Sequence, residues 1–166
     1  MAFDLVYATD FPRTLNGVNA HGGIAGFLDH VAASPKVEQD DMGVLMILAM
    51  AATYDPDPSA PKGIRLPVDL ETCELDPDRW ERWLEHDPLR LVGQIEFLDN
   101  LRLLRGLYID CGSKDQFHLV YGARTFARAL AEAGIDHRYE EFDDDHTAID
   151  YRMDVSLPFL YDALTG

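Results

Sequence analysis

At 166 residues with 47% hydrophobic content, the chain has enough apolar material for one domain with a sizeable core, and its composition is that of a folded protein. Thirty acidic residues against fourteen Lys plus Arg leave a formal net charge of -16, which opposes nucleic acid and anionic membrane surfaces as partners because the summed potential repels phosphate. Two cysteines, Cys73 and Cys111, are too few for a disulfide framework and lack the Cys-x-x-Cys spacing of a zinc site, so a reducing, cytoplasmic setting is expected.

The chain opens at Met1 to Ala8 directly into apolar, aromatic residues without a polar lead-in, a hint that it starts inside a domain. No basic stretch followed by an apolar core marks a signal peptide, and the longest apolar run, Val44 to Ala52, is too short to span a bilayer. Residues 1–40 carry turn-forming pairs at Phe11-Pro12, Asn16-Gly17, Gly22-Gly23 and Ser34-Pro35. Between the last two, Ile24, Phe27, Leu28 and Val31 recur at helical spacing and predict a short amphipathic helix over Gly23 to Ala33.

Asp40-Asp41 precede the apolar run Met42 to Ala52, which reads as a buried helix with acidic residues at its positive end. Its methionines suit either ordinary core packing or an adaptable acyl pocket, and general frequency favours packing. Asp55 to Gly63, with prolines at 56, 58 and 61, cannot continue a helix and is a loop. Ile64 to Leu70 reads as a short extended segment. Asp76-Pro77 then opens a helix carrying Trp80, Trp83 and Leu84, with Asp as cap and Pro at the first position, and His86-Asp87-Pro88 ends it. Leu89 to Leu104 reads as one further helix. With no internal repeat, residues 1–105 are expected to be a helical, lid-like insertion of the same domain as 106–166.

Leu107-Tyr108-Ile109-Asp110-Cys111 is short, apolar and flanked by Gly106 and Gly112, the pattern of a buried strand in a parallel sheet. Phe117, Val120, Tyr121, Phe126 and Leu130 follow as the stripe of a helix that stops at Gly134, and Arg138 to Phe142 alternates as a second strand. Strand, helix, strand makes a parallel crossover, and working groups in such sheets gather beyond the C-terminal strand ends. Asp115 and His146 each follow a strand at that end, so they are expected to meet although 31 positions apart. A carboxylate that accepts from an imidazole sets its tautomer and leaves the other nitrogen free to take a proton from a nucleophile.

Tyr108 to Asp115, Gly122-Ala123-Arg124, Glu132 to His137, Tyr139 to Asp143 and His146 together resemble the C-terminal part of the esterase family of enterochelin-esterase-like and S-formylglutathione-hydrolase-like proteins. The resemblance is good from about Gly106 onward and looser over 1–105, where that family carries a variable helical lid. It implies an α/β-hydrolase fold of which these are the last two strands, with Asp115 as triad acid and His146 as triad base. It also implies a small-molecule ester as substrate of the whole protein, and no cofactor or metal.

The family's chain order is nucleophile, acid, His, and the Gly-x-Ser-x-Gly elbow is absent. The four serines, Ser34, Ser59, Ser113 and Ser156, lack the flanking glycines. The expectation is therefore a C-terminal portion of a serine carboxylic-ester hydrolase, inactive alone; the alternative is a non-catalytic interaction module or the small subunit of a split hydrolase. Either way a half sheet with an open edge calls for a homo-oligomer or a partner chain to cover it.

Asp143-Asp144-Asp145-His146 could also be read as a divalent-metal cluster, but consecutive acids on one turn rarely converge on one ion. Asp115 could cap the helix after it, alone or alongside a catalytic role. Tyr151 and Arg152 read equally as supports of the His146 loop or as simple packing. His21, His30, His86, His118 and His137 have no comparable context and read as surface or helix residues.

Overall fold

A computed structural model describes the backbone of residues 3–166 and the side chains from residue 10 onward; Met1-Ala2 and the side chains of the apolar opening lie outside the described residues. The contacts divide the chain into two compact units, Phe3–His86 and Asp87–Gly166. Among the described residues no helix is long and apolar enough to cross a membrane.

The first unit is helical. Helix α1 spans Phe3–Ala20, α2 Ile24–Ala33, α3 Gln39–Tyr54 and α4 Pro77–Leu84. Phe11-Pro12 and Asn16-Gly17 are not turns, as their composition suggests, but interior residues of α1. Tertiary packing overrides the local signal there: Phe11, Leu15 and Val18, at helical spacing, are buried with Val44, Ile47, Leu48 and Ala51 of α3 in one core. Gly17 serves that contact rather than a bend, since a Cβ at this position would lie 2.6 Å from Val44 Cγ2. Pro12 costs α1 one amide donor.

α2 and α3 lie where the periodicity and the Asp40-Asp41 pair place them. Of the extended segment 64–70, only an antiparallel bridge between Val68 and Leu75 forms. Asp76 caps α4 through the amides of Asp78 and Arg79, at 3.1 and 3.0 Å, with Pro77 at the first position. Trp80 and Trp83 both meet Phe11 edge to face, at 5.8 and 5.5 Å between centroids. Arg79 and Arg82 of α4 bind Asp55 at the end of α3, and Arg79 reaches on to Asp57. The Arg82 hydrogen bond is the largest cause that holds the Asp55 carboxyl below its usual range.

The second unit carries the sheet. Leu89 to Leu104 is not one helix but two, α5 Pro88–Leu91 and α6 Ile95–Arg102, interrupted around Gly93. Strand β1 spans Tyr108–Gly112, α7 Leu119–Glu132, β2 Arg138–Phe142 and α8 Met153–Thr165, with a 3-10 turn over Ile149–Arg152 before α8. β1 and β2 are parallel, in the register Tyr108 with Arg138 through Gly112 with Phe142. The unit is thus a mixed α/β arrangement with a two-stranded parallel sheet. Leu130 and Ile135 fill its small core with Val92, while α8 buries no residue.

Phe11→Ala removes a fully buried ring from the contact of α1 with α4. It is expected to cost about 3–5 kcal/mol, read as a lower denaturant midpoint for the Phe3–His86 unit.

Candidate active site

The parallel pairing sends both chain segments out at the same end of the sheet. β1 leaves through Gly112-Ser113-Lys114-Asp115 and β2 through Asp143 to Ala148. The two exits are laced together by backbone bonds, Ser113 N–H to the Phe142 carbonyl at 2.8 Å and Lys114 N–H to the Asp144 carbonyl at 3.0 Å. Only glycine fits at 112, because an added Cβ would lie 2.3 Å from the Asp144 carbonyl oxygen and neither backbone can give way cheaply.

Asp115 and His146 meet as the strand order predicts: His146 Nδ1 lies 2.8 Å from Asp115 Oδ2. Asp115 is buried, and its other oxygen, Oδ1, accepts the amides of Phe117 and Leu119 at 2.9 and 3.2 Å. One carboxylate therefore both steadies the turn into α7 and orients the imidazole. A carboxylate can only accept, so Nδ1 carries the proton and Nε2 presents its lone pair. The His146 side chain is 46% exposed and no described residue hydrogen-bonds to Nε2.

Two supports escape any reading of the sequence. Gln116 Oε1 accepts the His146 amide at 2.9 Å while its Nε2 donates to Thr147 Oγ1 at 3.3 Å, and the Phe117 ring stands perpendicular to the imidazole at 5.3 Å. Nothing but adjacency to the acid marks Gln116 in the sequence, and Phe117, expected in the apolar stripe of the helix, instead precedes α7 and is exposed.

The acidic cluster does not converge. Asp143 pairs with Lys114, Asp144 accepts from Tyr151 and from the Asp145 amide, and Asp145 accepts the Thr147 amide. Among the described residues no group of three or more metal-ligating side chains is gathered to hold an ion. His118 is the left-handed residue that opens α7, His137 contacts the Ile135 carbonyl, and His21 stacks on His30.

A cavity of about 420 Å³ lies against the pair, walled by Leu119, Phe126, Phe142 and Ile149 beside Asp115 and His146. Cys111 also lines it, but burial, and then the charge of Asp115, push its thiol up to about 11, so it is no thiolate at neutral pH. What the described residues supply is an oriented imidazole whose Nε2 receives no hydrogen bond from a described residue, beside an apolar recess.

Behind the site, Glu140 and Glu141 are both held down at about 2, Glu140 chiefly by Arg152 and Glu141 chiefly by Arg124. A folded-state value below the ordinary one of ~4.3 contributes stability that is complete above that pH and lost as the pH falls toward 2. The denaturant midpoint of the Asp87–Gly166 unit should therefore drop below pH ~4, and the double change Glu140→Gln and Glu141→Gln should shrink that drop. A midpoint independent of pH over this range would contradict it.

No protein-family model matches the chain, and no curated protein matches it.

Proposed function

We propose that Asp115 and His146 are the acid and base of a Ser-His-Asp triad in a serine carboxylic-ester hydrolase, with the serine and the oxyanion donors supplied by sequence outside these 166 residues. The observation that carries this is the 2.8 Å bond between His146 Nδ1 and a buried Asp115, with Nε2 left unengaged beside an apolar cavity. In this reading β1 and β2 are the last two strands of an α/β-hydrolase sheet, the fold that the motifs from Tyr108 to His146 resemble. Two unbridged cysteines suit a cytoplasmic setting.

The chemistry follows from the geometry. A serine hydroxyl placed at Nε2 gives up its proton there as its oxygen attacks the ester carbonyl. Asp115 stabilises the imidazolium that forms without itself taking the proton. His146 then returns the proton to the departing alkoxide, and water, activated by the same nitrogen, releases the acid from the acyl-enzyme. The apolar walls of the cavity suit an uncharged small-molecule ester.

The test is to extend the reading frame upstream and treat the longer protein with a fluorophosphonate probe. Labelling is expected at the serine of a Gly-x-Ser-x-Gly elbow, and His146→Ala and Asp115→Asn should each lower ester turnover on the order of 10⁴-fold. The absence of such a serine, or undiminished turnover in His146→Ala, would sink the reading.

A second reading, a non-catalytic interaction module or small subunit of a split hydrolase, is favoured by two observations. Leu157, Leu160, Tyr161 and Leu164 of α8 are exposed, and each strand of the sheet has a single neighbour among the described residues. Sedimentation should then show a dimer or a complex, whereas a monomer at every concentration argues against it.

A further inference from the structure

The His146 loop is held in a conformation it would not adopt by itself. Ala148, two residues after the imidazole, has φ 55° and ψ 40°, the left-handed region that a side chain with a Cβ disfavours. The backbone bonds to Ser113 and Lys114 secure the start of the loop, but they lie on the strand side of His146. On the other side Gln116 reaches the Thr147 hydroxyl at 3.3 Å, and a stronger tie lies just beyond Ala148.

The 3-10 turn Ile149–Arg152 follows at once, and its last residue is tied to both strands. Arg152 Nε donates to Asp110 Oδ2 at 2.9 Å, and its Nη2 donates to Glu140 Oε2 at 2.7 Å and to the Tyr108 hydroxyl at 2.9 Å. Its guanidinium carbon lies 4.6 Å from the centroid of the Phe142 ring. Asp110 and Glu140 are cross-strand partners in the sheet register, Tyr108 lies two residues before Asp110, and Phe142 two after Glu140. One side chain thus spans one face of the two strands whose ends carry Asp115 and His146.

A rigid planar fork is what this task needs, since it can bind a carboxylate on each strand at once while its face covers an aromatic ring. The side chain is only 16% exposed, so water competes weakly for those bonds. Tyr151 adds a bond from its hydroxyl to Asp144, at 3.1 Å, inside the loop itself.

We propose that Arg152 is a positioning residue: by bridging Asp110 and Glu140 it clamps the 3-10 turn to the sheet, keeps Ala148 left-handed, and thereby holds the His146 ring in its bond to Asp115. The proposal rests on the reading of His146 as the base. It assigns Arg152 no contact with substrate.

The test is NMR of the full chain with labelled imidazoles, following the His146 Hδ1 proton. In the wild-type chain this proton should be visible and protected from exchange with water. Arg152→Lys keeps the charge and loses the fork; Glu140→Gln is isosteric at a partly exposed position, so it keeps the chain folded where Arg152→Lys does not. In each folded variant the His146 Hδ1 should exchange about tenfold faster, the factor set by weakening one charged hydrogen bond. The His137 ring, held separately by the Ile135 carbonyl, should be unchanged. A protected Hδ1 that is indifferent to both changes overturns the role of Arg152 alone. A wild-type chain with no protected Hδ1 overturns the acid–base reading instead.

Discussion

Parallel pairing of Tyr108–Gly112 with Arg138–Phe142 is the constraint from which the rest of the second unit follows. Parallel strands need a crossover, which α7 supplies, and they release their following loops at the same end. Had the pairing been antiparallel, Asp115 and His146 would leave the sheet at opposite ends. The approach is close enough that the Asp144 carbonyl occupies the space of an absent Gly112 side chain, so the two loops form one layer rather than two independent turns.

Within that layer a single carboxylate has two duties. Asp115 accepts two amides through one oxygen and the imidazole through the other. The helix entry and the His146 ring are therefore coupled: the group that fixes the path into α7 also fixes the imidazole. The carboxylate is buried and compensated by those two amides, while the imidazole it orients is half exposed.

A chain with a net charge of -16 has to manage repulsion among its acids, and it does so with arginine forks placed between them. Arg152 sits between Asp110 and Glu140, Arg79 between Asp55 and Asp57, and Arg124 binds both oxygens of Glu141. In both units these forks join segments distant in sequence, so each acts as a tie as well as a neutralising charge. The carboxylates of the Asp143 to Asp145 run turn to different partners, Asp143 to Lys114, Asp144 to Tyr151 and Asp145 to the Thr147 amide, which keeps them from gathering around one point.

The local code of the sequence determined a good part of this. Asp76-Pro77 as a helix start, the stop of α7 before Gly134, the strand Arg138–Phe142 and the meeting of Asp115 with His146 all follow from caps, periodicity and strand order, which act over a few residues or through topology alone. Tertiary structure decided the rest. It drew Phe11-Pro12 and Asn16-Gly17 into α1 because burying Phe11, Leu15 and Val18 outweighs two weak turn signals, and it broke Leu89 to Leu104 into two helices. It also chose Gln116 as the acceptor of the His146 amide, and it gave Arg152, which the chain marks only as loop support or packing, its partners on both strands. His146 and Asp110 lie 30 and 42 residues away from them, and a hydrogen bond across such a distance leaves no period or cap in the chain, only a geometry that exists once both segments are packed.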